Sequence, residues 1–247
     1  MRIALMTDLH ANREAVAACL APASAQGADQ YAVTGDLVGY GGDPGWVVDT
    51  VIDYVSRGEV VVQGNHDYFA TIPARPQMNP EAREALEWTR AQLSADHVAF
   101  LAGLPLVHEV DRLLFVHASA HEPEKWEYVK GVEQAERSLR ATSARVVFSG
   151  HVHAPALYRL ADDGRMGKHV PKGPEPIVLS PLHQHLVLPG STGQPRDGNC
   201  ASCYALYDDS TREVSYFRVP YDHGAAARRV ISVGLPLVFA MRLIEGL

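Results

Sequence analysis

The chain reads as an α/β fold in which two β-sheets pack together with helices on the outside. Three observations predict it. Apolar, β-branched runs alternate with helical patterns from Met1 to His153. Beyond His153 the pattern turns to short β segments separated by Gly- and Pro-rich turns. Five of the apolar runs end in Asp, His or Asn, where an open α/β sheet carries its ligands, at the carboxyl ends of strands.

Arg2, Ile3, Ala4, Leu5 and Met6 predict a strand over 2–7, which runs into Asp8-Leu9-His10. A helix is expected over 13–25, and a strand over 30–34 ends in Gly35-Asp36. A helix over 44–57 precedes a strand over 59–63 that leads into Gly64-Asn65-His66-Asp67. Asn79-Pro80 reads as an N-cap followed by proline at the first helical position. Ala82, Ala85, Leu86 and Thr89 then fall at helical spacing, giving a helix over 80–92. Strands near 106–110 and 112–117 follow, the second ending at His117. A helix near 132–141 leads to a strand over 145–149 and to Gly150-His151-Val152-His153. Later β segments are expected at 156–161, 177–180, 185–189, 203–208 and 212–219, and a helix near 235–245 closes the chain. Asp162-Asp163-Gly164 and Lys172-Gly173-Pro174 mark turns between them.

The 247 residues suffice for one sizeable core or at most two small ones. A net charge of −7 disfavours broad binding to DNA, so no stable nucleic-acid partner is expected. A small nucleotide stays compatible, because bound metal ions reverse the local field. The longest apolar stretch, 234–240, falls far short of a membrane span. Met1 leads straight into the first strand with no basic leader or small-residue cleavage site, so a cytoplasmic protein is expected. Oligomeric state stays open, a homodimer included. Of three cysteines, Cys200 and Cys203 form a single C-x-x-C that reads as two reduced thiols, with no second pair to complete a zinc site.

The five polar blocks offer eight candidate ligands: Asp8, His10, Asp36, Asn65, His66, His117, His151 and His153. Imidazole with carboxylate suits Mn, Fe, Co, Ni or Zn, and the absence of thiolate argues against a zinc-finger type of site. Eight ligands exceed the needs of one tetrahedral ion. They suit two ions sharing a carboxylate, an arrangement that clamps both oxygens of a displacement at phosphorus.

In this order the blocks resemble the calcineurin-like metallophosphoesterase superfamily, whose pattern is D-x-H, G-D, G-N-H-D/E, a lone His, and G-H-x-H. The resemblance implies a four-layer α/β/β/α sandwich of two mixed β-sheets, in one metallophosphoesterase domain over 1–247. It implies one metal held by Asp8, His10, Asp36 and His153. A second would be held by Asp36, Asn65, His117 and His151, with His66 unligated beside them as the catalytic residue. Two divalent transition-metal ions are expected, Mn first, with Fe, Ni, Co or Zn as alternatives. Asp8-Leu9-His10-Ala11-Asn12, Gly35-Asp36-Leu37-Val38-Gly39-Tyr40-Gly41 and Pro189-Gly190-Ser191 resemble the small bacterial and archaeal phosphodiesterase-like branch.

Three departures stand out. Ala11 and Ala118 replace the glycine usual after a metal-binding His in that branch. Gly39-Tyr40 also stands where protein Ser/Thr phosphatases of the superfamily carry Asp-Arg. Losing that pair argues against a phosphoprotein phosphatase and leaves the orienting partner of His66 unassigned. Asn12, Tyr40 and Arg196 are candidate substrate contacts, the last because a guanidinium fork matches phosphate oxygens. Trp126 and Tyr128 read as loop packing or as stacking surfaces, and His121 as a surface residue. His183 and His185 read as a solvated strand face.

The expected activity is therefore a dinuclear-metal phosphodiesterase acting on a small or nucleotide-like phosphate ester, by in-line attack of a metal-bridging hydroxide. A phosphomonoesterase and a dinucleoside polyphosphate hydrolase are alternatives. A non-catalytic metal-binding scaffold is weaker, since every ligand is intact. A DNA nuclease would need added basic capping domains that this length and charge do not provide.

Overall fold

The computed structural model describes residues 1–73 and 79–247. The chain runs β1 (Arg2–Met6), α1 (Arg13–Ala25), β2 (Gln30–Val33), α2 (Pro44–Ser56), β3 (Val60–Val61), α3 (Asn65–Thr71), α4 (Pro80–Gln92) and α5 (Ala95–Gly103). It continues through β4 (Val107–Val110), β5 (Leu113–Val116), a short 3-10 turn (Pro123–Lys125), α6 (Val132–Arg140), β6 (Val146–Phe148), β7 (Ala156–Leu160) and β8 (Met166–His169). It ends with β9 (Ile177–Val178), β10 (Gln184–Leu188), β11 (Ser202–Asp208), β12 (Glu213–Val219), α7 (His223–Ser232) and α8 (Leu237–Glu245).

The strands form two mixed six-stranded sheets, ordered β3-β2-β1-β11-β12-β9 and β4-β5-β6-β10-β7-β8. The period of two along each strand explains the layers. In β1, Ile3 and Leu5 enter the core between the sheets, while Ala4 and Met6 face the core shared with α1 and α2. In β5, Leu113 and Phe115 point between the sheets, while Leu114 and Val116 meet Ala135 and Leu139 of α6. Strands buried on both faces read as unbroken apolar runs, as these do. Helices thus cover both outer faces, giving the four-layer sandwich.

Four elements lie outside the sequence expectation: α3, α5, β8 and α7. The first turn of α3 carries Asn65, His66 and Asp67, whose polarity hides a helical stripe. α5 is announced by Ser94, which caps His97 N at 3.1 Å, and α7 by Asp222, which caps Ala225 N at 2.8 Å. β8 is a four-residue strand with two exposed positions and a glycine. His183 precedes β10, and His185 is buried at 4% exposure. The solvated strand face expected for them is therefore corrected. His185 aligns with Val146 of β6, so it shares the inter-sheet face. No helix among the described residues is long and apolar enough to cross a membrane.

Candidate metal centre

The eight candidate residues converge where β1, β2, β5 and β6 end and α3 begins. Five of them sit in left-handed backbone: Asp8 (φ 52°), His10 (46°), Asp36 (55°), His151 (66°) and His153 (62°). For a non-glycine residue this costs about 1–2 kcal/mol, and such strain collects at functional sites. The strained turns are braced from two directions. Asp8 N donates to Gly35 O at 3.0 Å and His10 N to Asp36 O at 2.9 Å. From the other sheet, Ser191 Oγ and Gly193 N both donate to Asp8 O at 2.9 Å. The braces need close backbone approach: a Cβ on Gly193 would lie 1.9 Å from Leu9 O, and one on Gly150 1.9 Å from Thr7 Oγ1.

Two groups of ligand atoms result. Asp8, His10, Asp36 and His153 form one, Asp36, His117 and His151 the other, and Asp36 belongs to both. In the first, Nε2 of His153 lies 3.2 Å from Asp8 Oδ1 and 3.2 Å from His10 Nε2, which is 3.7 Å from Asp36 Oδ2. In the second, His117 Nε2 lies 3.3 Å from Asp36 Oδ2, 3.1 Å from His151 Nδ1 and 3.1 Å from Asn65 Oδ1.

The outward nitrogens fix the tautomers. His10 Nδ1 faces Val38 O at 3.1 Å, His117 Nδ1 faces Thr34 O at 2.7 Å, and His153 Nδ1 faces Gln194 O at 2.6 Å. A carbonyl only accepts, so each Nδ1 carries the proton and each neutral ring aims the Nε2 lone pair inward. Lone pairs and carboxylate oxygens therefore face one another at 3–4 Å. Burial works to raise Asp8 and Asp36, yet His153 and His117 respectively hold both carboxyls well below the usual range. Burial pushes His10 down, and His151 down to about 3. Burial also presses on His117, but Asp36 outweighs it and lifts that imidazole to about 9.

His66 stands beside both groups. Its backbone N donates to Asp36 Oδ1 at 2.8 Å, and its ring centroid is 5.0 Å from that of His10. Burial lowers its pKa, helped by Arg196. Gly39 (φ 89°) leaves room for the imidazole, since a Cβ there would lie 2.5 Å from His66 Nδ1. Tyr40 packs edge-on to the same ring at 4.4 Å. The Arg196 guanidinium lies 5.5 Å from the Tyr40 centroid and donates to Gln194 Oε1. Asn12 lies behind the site: its Nδ2 donates to Gly193 O at 2.6 Å and to Tyr221 Oη at 3.1 Å, while Oδ1 caps Ala15 N. Both amide hydrogens are thus taken up within the fold.

On the rim, Tyr128 stacks on His151 at 3.8 Å, and Trp126 meets His117 edge-on at 5.9 Å. His121 is paired with Glu122 at 3.4 Å on the surface. The three cysteines are free thiols. Several contributors escape sequence reading. Asp67 accepts from Leu37 N (2.8 Å), Val38 N (3.2 Å) and Gly64 N (2.9 Å), clamping the Asp36 turn to the start of α3. Gln194 holds both His153 and Arg196. Phe239 and Arg242 of α8 reach Tyr40, at 4.9 Å between ring centroids and 5.8 Å from guanidinium to centroid.

Residues 1–212 match the calcineurin-like phosphoesterase superfamily domain. The chain belongs to that superfamily. It is 30% identical over 251 residues to an uncharacterized protein of Methanocaldococcus jannaschii, covering 99% of this chain and 98% of the relative. Among solved structures, a metallophosphoesterase from Sphaerobacter thermophilus superposes with a TM-score of 0.89 at 32% identity, covering 100% of this chain and 99% of the other. A hypothetical protein from Pyrococcus horikoshii shares the fold with a TM-score of 0.80 at 18% identity, over 99% of this chain and 98% of the other.

Members of the superfamily typically bind two divalent metals, and the His/Asp clusters fit that use. Ligand atoms 3.1–3.7 Å apart match the edges of a coordination sphere with bonds of about 2.0–2.2 Å. The tautomers leave lone pairs that only a cation or a proton can occupy together.

Proposed function

We propose that the protein is a dinuclear-metal phosphodiesterase for small or nucleotide-like phosphate esters, built as one metallophosphoesterase domain over 1–247. The observation that carries this reading is the place of Asp36 in both ligand groups. One metal would be held by Asp8, His10, Asp36 and His153, the other by Asp36, Asn65, His117 and His151, with manganese the leading candidate. When bound, the pair supplies Lewis acidity to phosphoryl oxygens and activates water.

The chain's own groups do the rest. Asp36 sets the spacing of the two halves. Carbonyls of Val38, Thr34 and Gln194 hold three imidazoles in the ligating tautomer. His66, not needed to complete either group, protonates the departing alkoxide. Arg196 offers a guanidinium to a phosphoryl oxygen, while Tyr128 and Trp126 offer aromatic faces to the leaving group. Gly39 and Tyr40 stand where phosphoprotein phosphatases carry Asp-Arg, which argues against a phosphoprotein phosphatase. The test is a manganese-loaded assay on bis(p-nitrophenyl) phosphate and p-nitrophenyl phosphate. A higher kcat/KM on the diester is expected, whereas a monoester preference would favour the phosphomonoesterase alternative.

A further inference from the structure

A cavity of ≈420 Å³ opens at the end of the sandwich opposite the metal centre, where β5, β6 and β12 begin. Its rim carries Arg112, Arg145 and Arg212, each one residue before its strand. Their backbones are fixed: Arg112 O accepts from Arg145 N at 2.8 Å, Arg145 O from His185 N at 2.9 Å, and Arg212 O from Leu179 N at 2.7 Å. Their guanidiniums, by contrast, have no ion pair or hydrogen bond among the described residues. Asp111 and Asp209 share the rim without pairing to them, and Asp209 accepts from the Tyr207 hydroxyl at 3.4 Å.

The interior adds two features. His183 Nδ1 is buried without a hydrogen-bond partner, and His185 lines the same space at 4% exposure. A buried polar atom without a partner calls for an explanation, and an absent ligand is one. The floor is apolar, made by Leu113, Val146 and Leu179 at the end of the inter-sheet core. Cationic forks above an apolar floor are complementary to an anion with a compact apolar body. Arginine in particular presents paired donors to carboxylate and phosphate oxygens. The volume falls in the range of small-molecule sites, about 300–1,000 Å³.

We propose that this cavity is a binding site, separate from the metal centre, for a small organic anion. Its phosphate, phosphonate or carboxylate head is held by Arg112, Arg145 and Arg212, its apolar body lies on Leu113, Val146 and Leu179, and His183 Nδ1 completes the polar contacts. The two sites share strands: β5 runs from Leu113 to the His117 loop, and β6 from Val146 to the His151 loop. They therefore lie at opposite ends of the same strands.

The test uses zinc-loaded protein with ¹³C-labelled histidine rings, titrated with phenylphosphonate, benzoate and inorganic phosphate. His183→Gln and His185→Gln identify the two signals, so binding here is read apart from binding at the metal centre. Saturable shifts of both signals are expected with phenylphosphonate and benzoate. Inorganic phosphate should bind at least about tenfold more weakly, having no apolar body. The exposed double change Arg112→Ala/Arg212→Ala should weaken binding at least about tenfold, from the loss of charge-assisted hydrogen bonds. Arg145→Lys, which keeps charge and stem but loses the fork, should also weaken it while the melting temperature holds. Unmoved His183 and His185 signals, or affinity unchanged in the arginine variants, would overturn the proposal. Equal affinity for inorganic phosphate would overturn the organic anion.

Discussion

The Tyr40 ring packs edge-on against the His66 imidazole with centroids 4.4 Å apart. Among the described residues no carboxylate hydrogen-bonds to the His66 ring, and packing against Tyr40 takes the place of a charged orienting partner. Tyr40 is itself backed by Phe239 of α8. Orientation by an apolar ring makes a distinctive prediction. Tyr40→Phe should keep near-native kcat, since the ring is what packs, whereas Tyr40→Ala should lower it with metal content unchanged. A comparable loss in both variants would assign the role to the hydroxyl.

His66→Gln should leave metal occupancy intact and lower kcat by about 10²–10⁴-fold on an alkyl or ribosyl diester, the usual worth of general acid catalysis. The loss should shrink with nitrophenolate, which departs without a proton. Parallel measurements across leaving groups check this. A uniform loss would make His66 an electrostatic stabiliser, and loss of an ion would make it a ligand.

Asp36→Asn should be the most damaging ligand substitution, costing about 10²-fold or more, because several kcal/mol of charge stabilisation passes through the shared carboxylate. Metal content should fall at the same time. Near-native activity and metal content in Asp36→Asn would remove Asp36 from the centre of the account.

Asp67→Ala should destabilise the fold by at least about 3 kcal/mol, since it strands three buried backbone N–H groups at about 1–3 kcal/mol each. Urea unfolding measures it. A loss below 1 kcal/mol, on the order of an ordinary surface change, would mean the clamp between the Asp36 turn and α3 carries little.

His185 sets an acid limit away from the metal centre. Burial, then His183 and Arg159, push its pKa down to about 4, against about 6.5 in an unfolded chain. The unfolded state then binds more protons between these values. The stabilising contribution of the neutral ring is full above pH about 6.5 and falls as pH drops toward 4, by on the order of 3 kcal/mol. His185→Phe should flatten the stability profile in that window. An identical acid slope in the variant would contradict a neutral, buried His185.

The metal-ligand blocks were legible because each is local: a strand delivers Asp8 and His10, or His151 and His153, within a few residues. The sandwich was legible because strands buried on two faces leave unbroken apolar runs. What escaped depends on contacts between distant segments. Asp67 acts through amides at 37 and 38, and Arg242 arrives from a helix that carries no motif. His185 was misread because the face of β10 is decided by its register with β6, which period-two alternation alone does not supply. Asn12 illustrates the same limit, its amide being claimed by Gly193 and Tyr221 far along the chain.

The shared carboxylate of Asp36 is most directly tested by adding Mn(II) to metal-free protein and recording electron paramagnetic resonance spectra. The account predicts two ions per chain and, at full loading, the spectrum of an exchange-coupled pair, because one bridging group links both. A stoichiometry of one, or two ions giving only the six-line signals of isolated Mn(II), would contradict it.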